Sequence, residues 1–115
     1  MQKWSLSTLT TEHLDTARGA SSVRSARTVV GGHTHTLRQT LIALRAGEAL
    51  DEHENPGEAT VHVLTGRVRL ATEDTSCEGG TGDLLVVPDA RHSLTAIEDA
   101  AVLLTVAAGA KGPAR

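Results

Sequence analysis

The sequence contains no phenylalanine and no tyrosine, and Trp4 is its one aromatic residue. Leu, Val, Ile and Ala must therefore fill whatever interior the chain builds. Without large rings, native packing density favours a narrow barrel or sandwich, and self-association into a homodimer would add buried area. Cysteine is almost as scarce. Cys77 stands alone, which excludes an intrachain disulfide and a cysteine-based zinc site. Lysine is confined to Lys3 and Lys111, the formal net charge is −3, and no basic stretch is interleaved with aromatics. That pattern excludes a nucleic-acid partner. No apolar run approaches the length of a membrane span. Polar residues separate Trp4, Leu6, Leu9 and Leu14, so the opening does not read as a signal peptide. The expected setting is the cytoplasm, with no membrane partner.

A chain of 115 residues suits one domain. Near its start, Thr10 to Arg18 reads as two helical turns, with Leu14 and Ala17 on one face. Glu12 and Asp15 would favour the positive end of the helix dipole, and Gly19 would stop it. Ser21 to Arg27 is polar and reads as loop. From Gly31 the pattern takes the period of strands. Thr36 to Arg45 and Ala59 to Leu64 are strands. In Arg67 to Ala71, Val68 and Leu70 lie opposite Arg67 and Arg69. Glu73 to Gly82 is a turn-rich link in which Cys77 reads as a spectator thiol. Leu84 to Val87 is a continuous apolar run, expected to be buried on both faces, and Pro88 ends it because proline cannot donate to a ladder. Ser93 to Glu98 and Ala101 to Ala107 would form a last pair across Asp99. The expected organisation is an N-terminal helix and arm over residues 1–30, a β domain over 31–108 and a disordered tail over 109–115. Short strands punctuated by Gly and Pro make an all-β barrel or sandwich.

Two glycine-framed segments concentrate the chemistry. The first runs from Gly47 through His53, Asn55, Pro56, Gly57, Glu58, Ala59 and His62 to Gly66; the second runs from Gly82 through Pro88 to His92. Alternate residues of a strand share a face. Ala59, Val61 and Val63 would then face one way and Glu58, Thr60 and His62 the other. His53 and Asn55 would share a side if that stretch is extended. His92 follows the proline that ends a strand, which places it at a rim.

These segments resemble the two motifs of the cupin superfamily, the double-stranded β-helix or jelly-roll barrels also called RmlC-like. The first motif reads Gly, five residues, His-x-His, three or four residues, Glu, six residues, Gly; here it is Gly47, five residues, His53-x-Asn55, three residues, Ala59, six residues, Gly66. The second pairs Gly82, Pro88 and His92 and is one residue shorter than the common pattern. The resemblance covers roughly residues 36–107 and is strongest to small single-domain cupins of the His-x-Asn-Pro-Gly-Glu-Ala type. It implies an all-β cupin barrel, preceded here by the short N-terminal helix, with His53 and His92 at its mouth. Metal-binding cupins present three His and one Glu. This chain has Asn55 and Ala59 in two of those places, so the metal motif is degenerate.

Other residues could replace the missing ligands. His33 and His35 form a His-x-His of their own and could join His53 and His92 around a divalent transition metal. Read without a ligand, they are two exposed histidines at the start of a strand. His62 and Glu58 have the wrong parity, and His13 belongs to an exposed helix face. Arg38, Arg67 and Arg69 would meet an anionic ligand if they face inward, and otherwise form a solvated face. The leading functional reading is small-molecule binding at the mouth through His53, Asn55 and His92. The alternative is a metal-dependent enzyme, a dioxygenase or isomerase, on a rebuilt His site. Proton transfer by His53 or His92 as catalytic residue and a purely structural interaction module complete the set.

Overall fold

The architecture is that of a computed structural model, which describes residues 1–19, 23–32, 34–53 and 57–108, with residues 51–53, 57 and 108 as backbone only. The chain makes helix α1 (Leu6–Ala17) and nine strands: β1 (Arg24–Val30), β2 (Leu37–Leu44), β3 (Ala49–His53), β4 (Gly57–Thr65), β5 (Arg67–Ala71), β6 (Ser76–Gly80), β7 (Leu84–Val86), β8 (His92–Ala96) and β9 (Ala100–Ala108). They form a five-stranded sheet in the order β1-β2-β9-β4-β7 and a four-stranded sheet in the order β3-β8-β5-β6. Every ladder is antiparallel. Among the described residues no ladder joins the two sheets, so the all-β fold expected from sequence takes the form of a β-sandwich.

The alternation read in β4 and β5 is what fills the sandwich. Ala59, Val61 and Val63 of β4, with Val68 and Leu70 of β5, face inward and meet Ile42, Leu44, Leu94 and Val102. The outer face of the larger sheet is apolar as well, because α1 covers it. Leu9 packs with Val29, Leu41 and Leu103, and Leu14 and Ala17 pack with Ala43 and Ala101. The apolar runs Leu41–Leu44 of β2 and Ala100–Leu104 of β9 follow from this, because alternate residues serve two cores.

The helix begins earlier than its apolar spacing suggests. Ser5 is extended (φ −89°, ψ 103°) and its hydroxyl accepts the N–H of Thr8 at 3.2 Å, which makes it the N-cap. Glu12 and Asp15 therefore lie beyond the first turn, which contains no acidic residue. Trp4, just before the cap, has the guanidinium of Arg27 stacked 4.8 Å from its ring centroid. The Trp4 indole N–H is buried and meets no acceptor among the described residues.

Several strands depart from the sequence reading. Arg24 to Arg27 belongs to β1 and not to a loop; its inner-face residues Arg24, Ala26 and Thr28 are exposed, which is why it carries no apolar stripe on that face. The link after Glu73 contains β6, with Cys77 exposed upon it. Leu84 and Val86 are 61% and 75% exposed while Leu85 and Val87 are buried, because β7 is an edge strand that, among the described residues, pairs with β4 alone. The strands on either side of Asp99 do not pair. β8 lies between β3 and β5, and β9 lies between β2 and β4, so the chain crosses from sheet to sheet at Asp99.

Glycine fixes the next crossing. Gly66, between β4 and β5, has φ +90°, and a Cβ there would overlap the carbonyl oxygen of Asp99 and lie 2.7 Å from Cα of Ala100. The two crossings touch at this point, and only a residue without a side chain fits. No helix among the described residues is long and apolar enough to cross a membrane. The tail expected to be disordered, residues 109–115, lies outside the described residues.

Candidate functional site

His92 opens β8 and is 5% exposed, the one buried polar residue among those described. Its inner-face successors, Leu94 and Ala96, are buried, while Ser93 and Thr95 are half-buried on the other face. The segment before it is tightly turned. Val87 N–H donates to the carbonyl of Ala59 at 3.0 Å, which ties the end of β7 to β4, and Ala90 N–H donates to the carbonyl of Pro88 at 2.8 Å. The His92 ring then reaches back, with Nδ1 3.0 Å from the carbonyl oxygen of Ala90. A carbonyl oxygen can only accept, so Nδ1 carries the proton. In the neutral ring Nε2 is then the acceptor nitrogen.

The imidazole borders a recess between the sheets, lined also by Ile42, Leu50, Val61, Leu70, Leu94, Val102 and Leu104. Apart from His92 this lining is wholly aliphatic. The recess has a volume of about 20 Å³, room for one or two waters. Position 53 ends β3 and is the direct cross-strand partner of His92. Position 59 lies on the inner row Arg38–Val106–Ala59, set by the β2–β9 and β9–β4 registers. Where the cupin motif has a carboxylate, Ala59 offers a buried methyl group.

His92, expected at a rim, opens β8 as a buried side chain. Asn55 and His33 lie outside the described residues, as does the side chain of His53. His35 is exposed in the turn before β2 and bonded to Thr34. His62 is half-buried on the outer face of β4, as its parity required. His13 is not a free surface residue: its Nδ1 lies 2.6 Å from the hydroxyl oxygen of Ser25 and links α1 to β1. Arg67 and Arg69 face outward, Arg67 paired with Glu78 at 3.0 Å and Arg69 bonded to Ser76 at 3.3 Å.

The expectation of a divalent transition metal is overturned. Among the described residues, no group of three or more His, Cys, Asp and Glu stands together where it could hold an ion. Ala59 has no donor atom, and His62 and Glu58 turn away from the recess. Sequence reasoning also missed the carbonyl of Ala90 as the group that orients His92. The Pro88-Asp89-Ala90 turn was the available signal, since a tight turn two residues before an imidazole brings a carbonyl within its reach.

No protein-family model matches the chain, and no curated protein does. Solved structures do. A conserved protein of unknown function from Streptococcus pyogenes is 28% identical over 74% of each chain, with a TM-score of 0.68. An RmlC-like cupin protein from Desulfovibrio desulfuricans is 25% identical over 74% of this chain and 82% of its own, with a TM-score of 0.64. A cupin superfamily protein from Desulfitobacterium hafniense is 16% identical over 83% and 86%, with a TM-score of 0.70. The chain has the cupin-superfamily fold.

Proposed function

We propose that this cupin-fold chain binds a small molecule at the mouth of the recess, with His92 as the principal polar contact and His53 and Asn55 beside it. One observation carries the reading: a buried, oriented imidazole borders a recess whose other walls are hydrocarbon. Burying a polar group costs free energy that an aliphatic residue of similar size would not. Its Nδ1–H is engaged by Ala90, which fixes the ring's orientation at the border of the recess. The cross-strand register supports the partnership of residues 53 and 92, because directly opposed positions of an antiparallel pair share a face.

The test is a thermal-shift screen of small metabolites on the parent chain and on His92→Ala and His53→Ala. A compound that raises the melting temperature of the parent, and of neither variant, supports the reading. Compounds that stabilise all three chains equally would show that the histidines serve the fold alone.

A further inference from the structure

We infer that Arg38 is the anion-recognition residue of this recess and that the ligand is a short-chain carboxylate. The inference rests on the binding reading above and gives the ligand a chemical class.

The first support is register. β2 pairs with β9 without a bulge, from Leu37 opposite Ala107 to Leu44 opposite Ala100. Ile42 and Leu44 belong to the core between the sheets, while Leu41 and Ala43 lie under the helix. Strict alternation therefore puts Arg38 and Thr40 on the inner face. Arg38 sits opposite Val106, one inner-face step outward of the row containing Leu104 and Val61, which line the recess. That step is about 7 Å along the strand. Arg67 and Arg69 have the opposite orientation and form the solvated face.

The second support is how Arg38 is held. Gly31 (φ +137°) lies against its stem, and a Cβ at Gly31 would stand 3.2 Å from Cγ and 3.3 Å from Cα of Arg38. The missing side chain makes room for the arginine. Nε makes one long bond, 3.4 Å, to the carbonyl of His35. Among the described residues no carboxylate pairs with Arg38, whereas Arg18 and Arg67 are paired with Asp99 and Glu78. The two terminal nitrogens of a guanidinium form the fork that takes a carboxylate in bidentate fashion.

The third support is the recess itself. Hydrocarbon walls and about 20 Å³ of space admit the end of a short alkyl chain. His92 is the one polar group of that lining, too few partners for the several hydroxyls of a sugar. A carboxylate at Arg38, a few methylenes past His92 and a methyl end against Leu104 and Val61 match the rim, the wall and the volume together.

The test is a backbone amide titration with butyrate and with butyramide, its neutral analogue, on the parent chain, Arg38→Gln and Arg38→Lys. Butyrate is expected to shift the amide signals of Leu94, Val102 and Leu104. Its affinity should fall about tenfold or more in Arg38→Gln and less in Arg38→Lys. Butyramide should bind weakly and equally to all three. Equal binding of butyrate and butyramide by the parent, or unchanged butyrate binding by Arg38→Gln, would remove the anion role and leave the recess as a binding site. No shift with either compound would overturn the short-chain carboxylate as ligand, while the binding reading would stand or fall by the thermal-shift screen. If Arg38→Gln does not fold, the comparison of the two compounds on the parent still decides.

Discussion

Asp99 and Arg18, 81 residues apart in sequence, form an ion pair in which Nε lies 2.8 Å from Oδ2. The other carboxylate oxygen accepts the N–H of Ala46 at 2.8 Å. One side chain thus joins the end of α1, the turn after β2 and the crossing between β8 and β9. The hydrogen bond from Arg18, followed by that from Ala46, holds the Asp99 carboxyl below its ordinary value.

A lowered folded-state value means that Asp99 contributes its stability above the unfolded carboxylate range, about 3.9, and loses it as pH falls through the folded value. Asp99→Ala is expected to cost about 1 kcal/mol at pH 7, chiefly through the lost bond to the exposed Ala46 N–H, which water then takes up. The half-exposed ion pair itself adds about 0.5 kcal/mol or less. Urea denaturation at pH 7 and pH 2 is the check: the gap between parent and variant should narrow at the lower pH. A gap that is the same at both would show that the carboxylate's charge plays no part.

Gly66 and Gly47 share φ +90° but not their surroundings. Gly47→Ala meets nothing within 4 Å and should cost about 1 kcal/mol from backbone conformation alone. Gly66→Ala must also displace Asp99 and Ala100, and should cost about 3 kcal/mol or more. Denaturation midpoints of the two variants, measured side by side, test the difference. Equal losses would mean that the two crossings do not touch in solution.

The bond from His92 to Ala90 fixes a tautomer. In the neutral protein, long-range proton–nitrogen spectra should show Nδ1 protonated and Nε2 bare, the less common arrangement for a free imidazole. The opposite pattern would place the ring the other way round and remove the bond to Ala90.

The edge strand β7 carries Leu84 and Val86 toward solvent. Exposed apolar residues on an open edge invite strand pairing between chains. Replacing Leu84 with Lys and Val86 with Thr should change stability by about 0.5 kcal/mol or less while reducing self-association in light scattering at high concentration. A large loss of stability would show that these side chains are covered in solution.

Sequence alternation revealed which faces of β4 and β5 point inward, because one side of each is solvated and the other packed. The end of β7 was legible too, because Pro88 marks where a ladder must end. Neighbour relations were not legible. Leu84 to Val87 has the composition of a strand buried on both sides, yet only its position at the sheet edge decides exposure. The turn at Asp99 looks like a hairpin turn, and only the carbonyl of Glu48, which accepts the N–H of Ala96, shows that β8 leaves for the other sheet. Ser5 escaped notice because a cap leaves no periodic mark. Arg38 could be read as inward or outward until the unbroken β2–β9 register set its parity.

Trp4 has an optical consequence. With no tyrosine to share it, the near-ultraviolet emission of the chain comes from one indole, lodged where the N-terminal arm meets β1 beneath Arg27. Fluorescence therefore reports whether the arm is seated, and circular dichroism near 220 nm reports mainly the sheets. If the two melts of one sample separate, the interval between them measures how far the arm lifts before the sandwich opens.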